Sequence, residues 1–120
     1  LAGSKEEAIK IIKSSILNEN RYAIEIPFKI AEKSYEILKI VKDMVNEGNP
    51  NSVSDAGVAG EMALAAVRGA CMNIQINLSG FSGDDAFAEK MVTESNIIIT
   101  KSEKIYKRIY SDVKEIIDNL

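Results

Sequence analysis

The length of its apolar stripes most limits how this chain can fold. Ile9, Ile12, Ile16, Ala23, Ile24, Phe28, Ala31, Tyr35, Leu38, Val41 and Val45 recur at spacings of mostly three and four. That period lays one apolar face along a helix through most of the first half of the chain. Phe87, Met91, Ile98, Ile105, Ile109, Val113 and Ile116 carry a stripe of the same kind to the C-terminus. No alternating pattern of the sort that marks a strand competes with either. Each stripe predicts a helix of more than about 30 residues, or a rod of roughly 50–60 Å at about 1.5 Å per residue. A few long rods cannot cover one another completely. The expected fold is therefore all-α, an up-and-down bundle of long helices in which residues 1–120 form a single helical domain. Its stripes call for further helices, supplied by more chain or by a symmetric partner, so it reads as an incomplete portion of a larger helical domain.

Local signals place the ends of these helices. Ser4 followed by Glu7 fits a capping box, which predicts a helix start near Lys5. Asn18-Glu19-Asn20 and then Pro27 interrupt the first stripe. Proline removes a helical hydrogen bond and disfavours helical geometry in Ile26 before it, so the choice is between one helix kinked near Pro27 and two helices meeting there. Continuity of the stripe favours the kinked helix. Gly48 is expected to supply a left-handed helix end, with Asn49-Pro50-Asn51 continuing as a turn. Ser54 is the expected N-cap of the next helix, and Asp55 complements its positive end. That helix accepts Gly57, Gly60 and Gly69, each costing about 1 kcal/mol relative to alanine, which predicts another backbone packed very close to it. Ser82 and Asp84 are placed to cap the last helix.

Composition removes several classes of function. No apolar run approaches the roughly 18–20 residues that cross a bilayer, and no charged start followed by an apolar segment resembles a signal peptide. The expected location is cytoplasmic, with no membrane partner. A net charge of -3 with dispersed lysines offers no basic stripe for phosphates, so no nucleic-acid partner is expected. Cys71 is the single cysteine and there is no histidine, so neither a disulfide within the chain nor a Cys/His metal site is expected. Without histidine, proton transfer would rest on carboxylates, lysines, tyrosines or amides.

Polar residues at the ends of the glycine-containing helix are the candidates for a site. Asp55 is either a cap that answers the helix dipole or a carboxylate held at the mouth of a loop. Asn73 and Asn77, one turn apart, share a face with Ala66 and Ala70. They satisfy each other or a neighbouring helix end, or they line a cleft, since asparagine is a poor helix former among so many alanines. Glu61 and Arg68 read as solvated groups or members of a helix–helix ion pair, and Cys71 as a small core residue.

Gly48-Asn49, Asn51, Ser54-Asp55, then Asn73 and Asn77-Leu78 together resemble the formiminotetrahydrofolate cyclodeaminase/methenyltetrahydrofolate cyclohydrolase family. Its members carry G-N-x-N followed by S-D, a small-residue helix and N-x-x-x-N-L. Ile26-Pro27 and Ala31-Glu32 match the same pattern upstream, and the similarity extends from about Glu6 onward with its most specific part between Pro27 and Leu78. Members also begin with helices joined by a Pro-Gly-Gly-Gly-Ser turn. That motif does not occur here, so the resemblance implies the C-terminal portion of such a domain.

The resemblance implies a dimeric helical enzyme that binds reduced folate near the subunit interface. Its reactions either close 5-formiminotetrahydrofolate to 5,10-methenyltetrahydrofolate with loss of ammonia, or hydrolyse the methenyl form to 10-formyltetrahydrofolate. No cofactor is implied beyond the tetrahydrofolate derivative that is the substrate, and a formiminotransferase is a possible partner. Asp55 would orient the folate or shuttle a proton, with Asn49, Asn51, Ser54, Asn73 and Asn77 as substrate-binding groups. An aspartate with an ordinary pKa of about 4 is a weak base for such work, so a catalytic Asp55 is expected to be partly buried.

Overall fold

The computed structural model describes residues 2–120 and shows three helices packed as an up-and-down bundle. Helix α1 spans Ala2–Glu47, α2 spans Val53–Ser79 and α3 spans Asp85–Asp118, and there is no strand among the described residues. The molecule is a rod of 79 × 19 × 17 Å. Its length comes from α1, whose 46 residues correspond to about 69 Å of helix. α1 runs unbroken through Pro27, so the first stripe belongs to one helix rather than two.

The helix boundaries correct several sequence expectations. α1 is already helical at Ala2, which puts Ser4 inside the helix, whereas an N-cap residue stands outside helical geometry. Gly48 is not left-handed; Gly83, with φ 101°, is the glycine of positive φ among the described residues. Gly48 is required for another reason, because a Cβ there would stand 2.6 Å from the Met44 carbonyl oxygen. α2 begins at Val53, so Ser54 lies in its first turn and is not its cap. A short 3-10 turn over Pro50–Ser52 starts the helical path early. Asp84 does cap α3, accepting a hydrogen bond from the Phe87 N–H at 3.1 Å.

Two clusters make up the core. In the larger, Leu38, Val41 and Val45 of α1 meet Ala63, Val67 and Ala70 of α2 and Ile109 of α3. The smaller joins Ile24, Ile74 and Met91 under Phe28, Phe81 and Phe87. Close neighbours explain two of the three glycines of α2, though they are side chains and not a backbone. A Cβ at Gly57 would meet Val113 at 3.3 Å, and one at Gly60 would meet Ile109 at 3.2 Å. At Gly69 it would meet nothing within 4 Å.

The bundle leaves much of its apolar surface uncovered. Ile9, Ile11, Ile12 and Ile16 are exposed on the part of α1 that precedes the contact of Leu17 with Gly83. The first stripe is therefore buried only from Ile24 onward, as expected of rods of unequal length.

Candidate active site

The corner where α1 hands over to α2 is built by short-range chemistry. The Gly48 N–H donates to the Met44 carbonyl at 2.9 Å and closes α1. The Asn49 side chain then accepts the Asn51 N–H at 3.0 Å and caps the 3-10 turn. Pro50, at the first position of that turn, has no N–H to leave unsatisfied. The corner frames a cleft of about 720 Å³ between the end of α1 and the start of α2. Ile40, Met44 and Ala59 give it apolar walls; Asp43, Glu47, Asn49 and Asp55 give it polar ones.

Asp55 sits in the first turn of α2 and belongs to none of the ion pairs among the described residues. Within a single chain it is exposed, so the burial expected of a catalytic aspartate is not supplied by this bundle alone. Asp43 and Glu47, which the sequence does not single out, line the same cleft from α1. Two carboxylates four residues apart repel, and they do so at the negative end of the α1 dipole with no basic residue in its last turn. Among the described residues, no group of three His, Cys, Asp or Glu side chains is arranged to hold a metal ion.

The other sequence candidates disperse. Asn49 lines the cleft, while Asn51 is exposed on the turn beside it. Ser54 opens toward the α2–α3 groove, in a space of about 200 Å³ shared with Glu61, Tyr106 and Tyr110. Asn73 and Asn77 lie 18 and 22 residues beyond Asp55 on one unbroken helix, which is about 27 and 33 Å. A single chain does not bring them to the cleft.

Asn77 has a structural task where it stands. Pro27 carries no N–H, so the carbonyl of Ala23, four residues earlier, loses its helical donor. The Asn77 Nδ2 donates to that carbonyl at 3.0 Å. Of the alternatives the sequence left open, Asn77 thus satisfies a neighbouring helix, in mid-helix rather than at its end. Arg21 and Asp84 fasten the same end of the bundle, through Nη2–Oδ2 at 2.6 Å and Nε–Oδ2 at 3.1 Å. The Phe87 N–H and the Arg21 guanidinium hold the Asp84 carboxyl below the usual carboxylate range.

Elsewhere the polar surface pairs across α2 and α3. Arg68 reaches Glu103 at 3.3 Å, and the Tyr106 hydroxyl donates to Glu61, which pushes the phenol pKa up. Cys71 is buried, and burial pushes its thiol up. A further grouping is invisible in the sequence because Lys42 is 62 or more residues from its other members: it joins Lys104, Lys107 and Arg108 around a groove between α1 and α3. That groove opens on the α3 side of α1, away from the Asp55 cleft.

An all-helical bundle with a carboxylate-rimmed cleft at the GNPNS corner and a small-residue second helix defines the class. The formiminotransferase-cyclodeaminase family model matches residues 1–97, and the chain belongs to that family. It is 33% identical over 92 residues to methenyltetrahydrofolate cyclohydrolase of Methylorubrum extorquens, a match covering 77% of this chain and 44% of the relative. It is 34% identical over 70 residues to formimidoyltransferase-cyclodeaminase of Mus musculus, covering 58% of this chain and 13% of the relative. The chicken enzyme of the same name is 34% identical over 79 residues, covering 66% of this chain and 14% of the relative. The chain thus spans less than half the length of these curated relatives. No helix among the described residues is long and apolar enough to cross a membrane.

Proposed function

We infer that this chain forms part of a folate one-carbon enzyme acting at N5 and N10 of tetrahydrofolate. The reaction we assign is conversion of 5-formiminotetrahydrofolate to 5,10-methenyltetrahydrofolate and ammonia. The observation that carries the reading is the cleft at the α1–α2 corner, where Asp55, Asp43, Glu47 and Asn49 stand around apolar walls in a chain of this family. In this chemistry N10 attacks the formimino carbon, giving a tetrahedral carbon that bridges N5 and N10. N10 then loses its proton, and the former imino nitrogen, which gains two in all, that one and one from solvent, leaves as ammonia. A carboxylate that accepts the first proton and returns it to the departing nitrogen serves both steps, and Asp55 is the residue assigned to it. Apolar walls such as Ile40 and Met44 suit a flat pterin ring, and the Asn49 amide can orient its polar edge. Ser54 and Asn51 border this corner and are assigned secondary binding roles. The protein acts in the cytoplasm as a homodimer, with reduced folate as its ligand and a formiminotransferase as the source of its substrate.

The alternative reaction at the same atoms is hydrolysis of 5,10-methenyltetrahydrofolate to 10-formyltetrahydrofolate, and the resemblance to the Methylorubrum cyclohydrolase favours it equally. A second alternative, a non-catalytic helical dimer or assembly subunit that keeps the fold, draws on the exposure of Asp55 in the single chain. One assay separates all three. With 5-formiminotetrahydrofolate, growth of the ultraviolet band of the methenyl form together with release of ammonia identifies the cyclodeaminase. Decay of that band faster than the spontaneous rate, starting from the methenyl form, identifies the cyclohydrolase. Silence with both substrates leaves the assembly subunit.

A further inference from the structure

Lys104, Lys107, Arg108 and Ser111 stand at i, i+3, i+4 and i+7 on α3, so one helix face carries three cations and a hydroxyl within two turns. Lys42 joins them from α1, and Ile105 completes the lining of a space of about 470 Å³ that contains no carboxylate. Like charges at these spacings repel one another and weaken the helix that carries them. The chain is not short of groups to neutralise them, since 18 acidic residues against 15 basic ones give it a net charge of -3. Yet Lys42, Lys104 and Lys107 belong to none of the ion pairs among the described residues. Carboxylates close to them in sequence are committed elsewhere. Glu103 pairs with Arg68 of α2 at 3.3 Å, and Asp43, next to Lys42, lines the Asp55 cleft on the other flank of α1.

Asp112, at the edge of the groove, holds the arginine in place. Arg108 Nε donates to its Oδ1 at 3.3 Å and to its Oδ2 at 3.1 Å. Asp112 is itself fixed by Asn46, whose Nδ2 donates to Oδ2 at 3.2 Å and to the Lys42 carbonyl at 3.0 Å. These bonds brace the groove from the Lys42 turn of α1 to the Arg108 turn of α3. With Nε spent on Asp112, Nη1 and Nη2 of Arg108 make no hydrogen bond among the described residues. A guanidinium anchored through Nε presents its outer fork for two parallel bonds to an oxyanion. The arrangement is therefore more than scattered surface lysines: an oriented fork, three unpaired ammonium groups and a hydroxyl converge on one space.

We propose that this groove binds a small phosphate-bearing anion at a site separate from the Asp55 cleft. The Arg108 fork takes two oxygens of one phosphoryl group, Lys104 and Lys107 neutralise its neighbours, Lys42 closes on them from α1, and the Ser111 hydroxyl donates to a further oxygen. The stretch from Lys104 to Ser111 covers about 10 Å of helix, so the ligand is compact and carries its charges close together. Phosphate meets that requirement better than a chain of spaced carboxylates, and it is the anion that lysine point charges and an arginine fork together recognise. The ligand bridges α1 and α3, so it stabilises the folded chain in step with its occupancy. None of this depends on reading the Asp55 cleft as a folate site.

Calorimetric titration of the whole chain with tripolyphosphate is expected to show one saturable site per chain, with a rise in melting temperature. Lys104→Gln/Lys107→Gln should weaken that binding by at least about tenfold. Arg108→Lys, which keeps the charge and loses the fork, should weaken it by about threefold or more. Lys10→Gln/Lys13→Gln removes two exposed lysines of the same spacing from the far end of α1 and should leave binding unchanged. The Lys104/Lys107 variant relieves repulsion, so without ligand it should melt no lower than the wild type, which separates lost binding from lost fold. Titration with ATP identifies the source of the phosphate: tighter binding than tripolyphosphate supports a nucleotide, and weaker binding a free oligophosphate. Absence of saturable binding, or equal losses in the two lysine pairs, reduces the groove to diffuse surface charge and overturns the site. Equal affinity for citrate overturns the phosphate class. Tighter binding of tetra-γ-glutamate than of tripolyphosphate makes the groove a subsite for the tail of a folate and overturns its separateness from the cleft.

Discussion

The two ends of α2 contain similar residue types and use them differently. At its C-terminal end the Asn77 amide is spent on the carbonyl that Pro27 leaves without a donor, and Arg21 and Asp84 clamp the start of α3 beside it. At its N-terminal end Asp55, Asp43 and Glu47 surround a cleft, and none of them belongs to an ion pair among the described residues. One end converts polar groups into fold. The other keeps like charges close together at a cost in stability and leaves them free to meet a ligand. Groups that the fold does not consume are where chemistry is to be sought.

The contrast breaks most sharply at Asp55. Asp55→Asn is expected to lower turnover by at least about a hundredfold, the usual scale for loss of a proton-transferring group. Circular dichroism and melting temperature should be essentially unchanged. An equal loss of helicity would make Asp55 part of the fold, like Asn77, and erase the difference between the ends.

Ile74, fully buried in the smaller core, is the complementary probe. Ile74→Ala should cost about 2–5 kcal/mol in denaturant unfolding, through lost burial and the cavity left behind. A weaker effect rests on the Asn77 bond. Asn77→Ala should cost about 0.5–1.5 kcal/mol, because the exposed Ala23 carbonyl can recruit water in its place. In a Pro27→Ala background the helix supplies its own donor to Ala23, so the same change should cost much less. Equal costs in the two backgrounds, measured as a double-mutant cycle, would remove the link between Asn77 and Pro27.

The smallest effect concerns acid. The folded-state pKa of Asp84 is depressed by the Phe87 N–H and Arg21, so its contribution is present above the unfolded value of about 4 and is lost as pH falls through the folded value. Asp84→Asn keeps a capping oxygen but loses the charge that meets Arg21, so it should lower the melting temperature slightly at neutrality and flatten its decline below about pH 4, the two proteins converging in acid. An unchanged acid decline would show that Asp84 does not fasten this end.

Helix identity was legible because it depends on local periodicity. Ile24, Leu38, Val41, Val45, Met91 and Ile109 fall on the predicted stripes and are buried. The boundaries were less legible. Ser54 satisfies the rules of an N-cap as well as Ser52 does, and the choice depends on the 3-10 turn that Pro50 begins. The cleft was half legible: Asn49 and Asp55 stand out in the GNPNSVSD run, whereas Asp43 and Glu47 pass for the wet face of a long helix until α2 folds back beside them.

The sequence by itself determined the helices and the residues that stand out for their chemistry, since a 3.6-residue period, a proline and a glycine act over a few neighbours. Only the tertiary structure decided what those residues do. It matched Asn77 to a carbonyl 54 positions away and gathered Lys42 with three cations of α3. It also separated Asp55 from Asn77 by the full length of a rigid helix. Hydrogen bonds and charges act over a few ångströms, and which groups come within that reach is set by how the rods pack.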